Sequence, residues 1–170
     1  RPSESITYAP SFGLPALREL WKEKMYEKNS SCYIRIPFTL DAGQSGYDSL
    51  TLNIRYDDGF IAYLNGVEIA GDGLSGDQVE YNTLSETSHE ARMYNGGMPT
   101  RFNIPASASL FRPGINTLAI RVHNVSETSS DMSAIPFLSI QSYNKPGISP
   151  PGILDLSASR YHSNFRLNVD

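Results

Sequence analysis

Apolar residues along this chain recur mainly at every second position, in short runs broken by turn-forming residues. In CYIRIPFTL, Cys32, Ile34, Ile36 and Phe38 fall on one side and Tyr33, Arg35 and Thr39 on the other, the period of a half-buried strand. Pro37 removes a ladder donor and marks that strand for an edge or a bulge. LTLNIRY sets Leu50, Leu52, Ile54 and Tyr56 against Thr51, Asn53 and Arg55. FIAYL and VEIA flank Asn65-Gly66, the dipeptide that most readily accepts positive φ at both corners of a type I′ hairpin turn. RFNIPA, TLAIRVHN and IPFLSIQSY supply further strands. The period changes only in LPALRELWKEKMYEK, where Leu14, Leu17, Leu20, Trp21 and Met25 recur at helical spacing with Pro15 early in the run.

The connections carry their own signals. Asp57-Asp58-Gly59 reads as a turn after which FIAYL runs back. Residues 71–100 are glycine-rich and have no sustained period, so they read as a long loop, functional or mobile, with one short helical turn near 85–92. A second helical turn is expected at 107–111. Three segments follow: an N-terminal extension with a helix over 1–30, a β-sandwich over 31–143, and a Pro/Gly-rich linker or docked C-terminal strand over 144–170. At least six short strands and one helix predict an all-β fold, an antiparallel β-sandwich or jelly roll. No fixed repeat points to a propeller or solenoid.

Composition narrows the function classes. A chain of 170 residues supports one domain of ordinary size, and 10 Tyr, 7 Phe, 13 Gly and 11 Pro suit short strands and elaborate turns. The net charge of −4 comes without a basic block able to neutralise phosphates, so no nucleic acid is expected as partner. No apolar run approaches the ~20 residues of a membrane span. The opening RPSESITYAP lacks a charged n-region and an apolar h-region, and a start at Arg1 reads as an excised domain or a processed product. Cys32, the only cysteine, excludes an internal disulfide. Two sequons, at Asn29 and Asn124, are compatible with export.

The succession YIRIPFTL, LTLNIRYDDGFIAYLNGVEIA, YNTLSETSHE and RPGINTLAIRVHNVSETSSDMS resembles an accessory β-sandwich domain of large secreted bacterial proteins, a companion of lamin-tail-like, spore-coat-kinase-like or hydrolase modules. The resemblance spans roughly residues 31–140 and implies a galactose-binding-like jelly roll, secreted or at the cell surface. The helical segment falls outside it. A second, narrower similarity, confined to Asp57 and Asp58, is to protective-antigen-type lectin domains; it implies that the two aspartates ligate calcium, which then grips sugar hydroxyls.

Adjacent aspartates on an extended backbone point to opposite faces, whereas a glycosidase pair straddles a bond at about 5 to 10 Å. His89, His123 and His162 show no metal-ligand spacing, and no Gly-x-Ser-x-Gly elbow is present. The chain therefore reads as non-catalytic. Asp57 and Asp58 keep two readings, turn residues bonding nearby backbone N–H groups or calcium ligands. His123 and Asp131, at the two ends of HNVSETSSD, are either a capped strand terminus or part of a polar ligand site in which Asp131 accepts from sugar hydroxyls. Sugar recognition also needs planar aromatic faces, for which Tyr47, Tyr81 and Tyr94 are candidates, while Trp21 on a helical stripe reads as packing. The sum is a carbohydrate-binding or adhesion module whose partners are a polysaccharide or glycan and the neighbouring domains of its parent chain. The alternative is a structural spacer or protein–protein interaction domain.

Overall fold

A computed structural model describes residues 15–40, 49–76, 78–92, 96–105, 107 and 110–141. Among them α1 (Pro15–Lys24) is followed by β1 (Ser31–Leu40), β2 (Ser49–Asp57), β3 (Gly59–Leu64), β4 (Val67–Asp72), β5 (Thr100–Ile104), β6 (Gly114–His123) and β7 (Ser133–Gln141). The strands form a four-stranded sheet in the order β1-β6-β3-β4 and a three-stranded sheet in the order β5-β2-β7, with every pairing antiparallel. The all-β sandwich with one short helix is thus the observed architecture. The segment expected to be a linker or docked strand, 144–170, lies outside the described residues.

Alternation explains the core. Leu50, Leu52, Ile54 and Tyr56 of β2 are at most 1% exposed, and they share one cluster with Phe60, Ala62 and Leu64 of β3 and Leu118, Ile120 and Val122 of β6. Aromatic edges knit the two sheets: Phe60 meets Tyr56 at 4.6 Å and Phe102 at 5.3 Å between ring centroids. Pro37 sits exposed on β1, at the edge of its sheet, as its missing N–H requires. Asn65 and Gly66 both take positive φ, 52° and 88°, at the β3–β4 turn. The Asn65 side chain also donates to the Asn116 amide oxygen at 2.7 Å and to the Leu110 carbonyl at 2.8 Å, which clamps the hairpin tip to the turn before β6.

Two local expectations change. β2 and β3 are not hairpin partners: β2 belongs to the three-stranded sheet and β3 to the four-stranded one, so Asp58 alone carries the chain across the sandwich. FIAYL lacks alternation because both faces of β3 are covered, and its ladder partners are β4 and β6. Residues 85–92 form no helix. Their backbone and side-chain groups bond other elements instead. A single turn does close at Leu110, whose N–H donates to the Ser107 carbonyl at 3.0 Å.

Helix α1 opens at Pro15 and ends at Lys24, short of the expected run to Lys28. Glu27 adopts a left-handed φ of 57°, which terminates helical continuation, and its N–H donates to the Glu127 carbonyl at 2.8 Å. The helix exit is therefore docked on the loop between β6 and β7. Met25 is buried, whereas Leu20 of the same expected stripe is exposed.

Candidate functional site

The crossover between the sheets concentrates the acidic chemistry at one end of the sandwich. Asp57 closes β2 opposite Ser133, Asp58 follows through a cis peptide bond, and both are only 3% exposed. Asp58 accepts the His89 N–H on Oδ1 at 3.0 Å and the Val125 N–H on Oδ2 at 2.8 Å. Its own N–H donates to the His123 carbonyl at 3.3 Å. One carboxylate thus fastens both loops at this end. Its partners are remote in sequence, unlike the local turn bonds that the sequence suggests. Asp57 differs: burial, followed by the charges of Asp58, Asp131 and Glu90, raises its pKa to about 7.

The irregular stretch after β4 is held at almost every turn. Arg121 donates to the Val79 carbonyl, Ser31 Oγ to the Tyr81 carbonyl, and His123 Nδ1–H to the Thr83 carbonyl at 2.7 Å. Arg121, Ser31 and His123 share the outer face of the four-stranded sheet by register, so residues 79–83 lie across that face. Ser85 then packs into space left by two glycines. Its Oγ is 2.6 Å from where a Cβ would stand at Gly59 and 2.7 Å from the corresponding point at Gly73. His89 completes the closure by stacking on Tyr56, with ring centroids 4.0 Å apart and planes within 8°, while its Nδ1–H donates to the Tyr56 carbonyl at 2.9 Å. Tyr56 in turn donates its hydroxyl to Asp72, and burial and that bond raise its pKa.

Beside this closure opens a cleft of about 510 Å³. Arg55 and Ile54 of β2 supply one side, residues 88–92 the wall, and Met98 and Thr100 the approach to β5. Arg55 is positioned by a bond from Nη2 to the Gly97 carbonyl at 2.8 Å. Met98 is 87% exposed. The cleft therefore offers guanidinium, carboxylate, imidazole and hydroxyl groups around one accessible thioether.

Of the ligand residues singled out in the sequence, Tyr81, His123 and Asp131 do not line the cleft. Tyr47 and Tyr94 lie outside the described residues. Tyr81 is 65% exposed, with its backbone tied to β1 of the other sheet. His123 is 0% exposed; burial lowers its pKa and its Nε2 has no hydrogen-bond partner. Asp131 accepts from Ser130 Oγ at 3.1 Å and adds its charge to the field at Asp57, so it joins the aspartates rather than the His123 ring. Arg55, His89, Glu90 and Arg92 carry the cleft and gave no motif. Arg55 reads as an ordinary outward strand residue, and the only trace of the wall is the charged SHEAR in a loop without period.

Among the described residues, no three His, Cys, Asp or Glu side chains converge closely enough to hold a metal ion, and no helix is long and apolar enough to cross a membrane. No protein-family model and no curated protein matches the sequence. Solved structures similar to it include three glycoside hydrolases. An α-L-rhamnosidase from Aspergillus terreus shares 13% identity over 66% of this chain, with a TM-score of 0.40. A β-D-mannosidase from Dictyoglomus thermophilum shares 22% over 68%, with a TM-score of 0.36. An α-L-rhamnosidase from Streptomyces avermitilis, complexed with L-rhamnose, shares 18% over 76%, with a TM-score of 0.38. The chain spans 11% to 12% of the length of each of these proteins, and the likeness assigns it neither family nor activity.

Proposed function

We propose that this chain is a non-catalytic carbohydrate-binding module of a secreted bacterial multidomain protein, with the cleft beside β2 as its sugar site. The cleft itself carries the reading. Its volume of about 510 Å³ falls in the range of small-ligand sites, and its lining sets a few polar groups around the exposed thioether of Met98. Sugars need that combination, apolar contact for a ring face and fixed donors and acceptors for hydroxyls. Commitment of both Asp58 oxygens to backbone donors leaves no adjacent carboxylate pair free for bond cleavage, which supports binding over hydrolysis. The sequence resemblance to accessory sandwich domains points in the same direction.

Calcium enters this reading through Asp57, on which Asp58, Asp131 and Glu90 impose negative charge; since no three such side chains converge among the described residues, backbone carbonyls and water would complete its shell. Asp58 would serve a cation only with the lone pairs left by its two backbone donors. The test is a glycan array probed with the whole chain, in calcium and in chelator. Binding of a glycan in either condition is the expected result, and loss in chelator assigns the cation a part in it. A blank in both overturns the proposal in favour of a structural spacer.

A further inference from the structure

We infer that the ligand of this cleft is anionic, a saccharide bearing carboxylate or sulfate groups; the inference rests on the carbohydrate reading and narrows it. Two guanidinium groups line the opening, and a third lies near it on the same sheet. Arg55 and Arg92 line it, from β2 and from the wall. Arg101 follows the lining residue Thr100 on β5 and pairs with Asn53, so it lies diagonal to Arg55 on the same face of the sheet. This concentration stands out on a chain whose net charge is −4.

Among the described residues, none of these three arginines forms an ion pair. Arg55 and Arg101 bond neutral acceptors, the Gly97 carbonyl at 2.8 Å and Asn103 Oδ1 at 3.1 Å. Among the described residues, the ion pairs are those of Lys22 with Glu19 and Lys24 with Glu23, both on α1. Among the described residues, the buried Arg55 Nε–H also has no acceptor. Arg121 shows the same unpartnered Nε, yet it stacks over Tyr33 at 5.5 Å, is held by the Val79 carbonyl, and does not line the cleft. Of these two arginines, Arg55 is the one that lines the cleft. A planar guanidinium matches a carboxylate or sulfate with two parallel bonds, a gain that a neutral hydroxyl does not offer. Glu90, the one carboxylate in the lining, remains to accept hydroxyls.

Titration calorimetry on the full chain tests this with four probes: a tetramer of galacturonic acid, a sulfated galactose tetramer, a neutral galactose tetramer and a tetra-aspartate peptide. At least one acidic sugar should bind roughly tenfold more tightly than the neutral one, with affinity falling as salt rises from about 50 to about 500 mM. Arg92→Gln, at an exposed position, should weaken the acidic sugar about tenfold and leave the melting temperature unmoved, and Arg55→Gln should weaken it at least as much. Equal binding of the neutral tetramer without salt dependence overturns the inference while the carbohydrate reading stands. The same holds if none of the tetramers binds but the array reveals a neutral glycan. A blank with every sugar, on the array as well, overturns both. Peptide binding as tight as that of the acidic sugars overturns the assignment to a saccharide.

Discussion

Val125 donates its backbone N–H to the carboxylate of Asp58 at 2.8 Å across a sequence separation of 67 residues. With His89 on the other oxygen, the side chain joins the crossover between the sheets to two separate loops. Asp58→Ala should strand both donors and cost about 2 to 5 kcal/mol in chemical denaturation. Asp58→Asn keeps one acceptor and should lose about half as much. An Asn variant as unstable as the Ala variant would contradict this division of labour.

Asp57 gives the fold a pH dependence of unusual sign. Its pKa is raised from 3.8 to about 7, chiefly by burial, so its protonated form favours folding. The contribution is fully present below about pH 4 and is lost as pH rises through 7. His123 acts oppositely. Burial lowers its pKa, so it favours folding above the usual imidazole range and loses that contribution as pH falls. Subtracting the Asp57→Asn melting curve from wild type isolates the first effect. In chelator, the variant should melt several degrees higher at pH 8, with the difference shrinking towards pH 4. A constant difference over that interval would refute the assignment.

Gly59 has no room for a methyl group, since a Cβ there would meet Ser85 Oγ at 2.6 Å. Gly59→Ala should cost about 1 to 3 kcal/mol. Ser85→Gly alone loses the hydroxyl bonds to the Gly73 and Thr87 carbonyls, at 3.1 and 2.8 Å. The double variant should be more stable than the sum of the two losses implies. Strict additivity would show that the contact does not set the cost.

Asn116, 0% exposed, uses its whole amide: Oδ1 accepts from Asn65 and from the Arg112 N–H at 3.1 Å, and Nδ2 donates to the Arg112 and Gly114 carbonyls at 2.8 and 3.0 Å. Asn116→Asp keeps the shape but cannot donate twice, so it should lose about 2 to 4 kcal/mol, comparable to Asn116→Ala. Thermal melting of the two variants checks the equivalence.

The strands were legible because period-two alternation reports burial directly, as in LTLNIRY, and Asn65-Gly66 announced its turn through backbone sterics alone. Sheet order was not legible. Periodicity tells which side of β2 is buried but not that β3, the next strand in sequence, lies in the opposite sheet. The unalternating FIAYL reports only that both faces of β3 are covered, not which sheet it joins. Asp58 was conspicuous as a residue, yet its partners are chosen by tertiary folding and carry no local signature. The cleft was least visible of all, because Arg55 occupies an outward position that a solvent-facing arginine would fill equally well.

The bonds that hold residues 79–89 reverse the usual rule for splicing foreign sequence into a domain. Length and irregularity normally mark the connection where an inserted peptide does least harm. Here the stretch between β4 and β5 is fixed to Ser31, Arg121, His123 and Asp58, and it supplies Ser85 and His89 to close the end of the sandwich. An epitope tag or fusion partner placed at its middle would disconnect β1, β6 and the Asp58 crossover at once, making this long connection a poor cloning site.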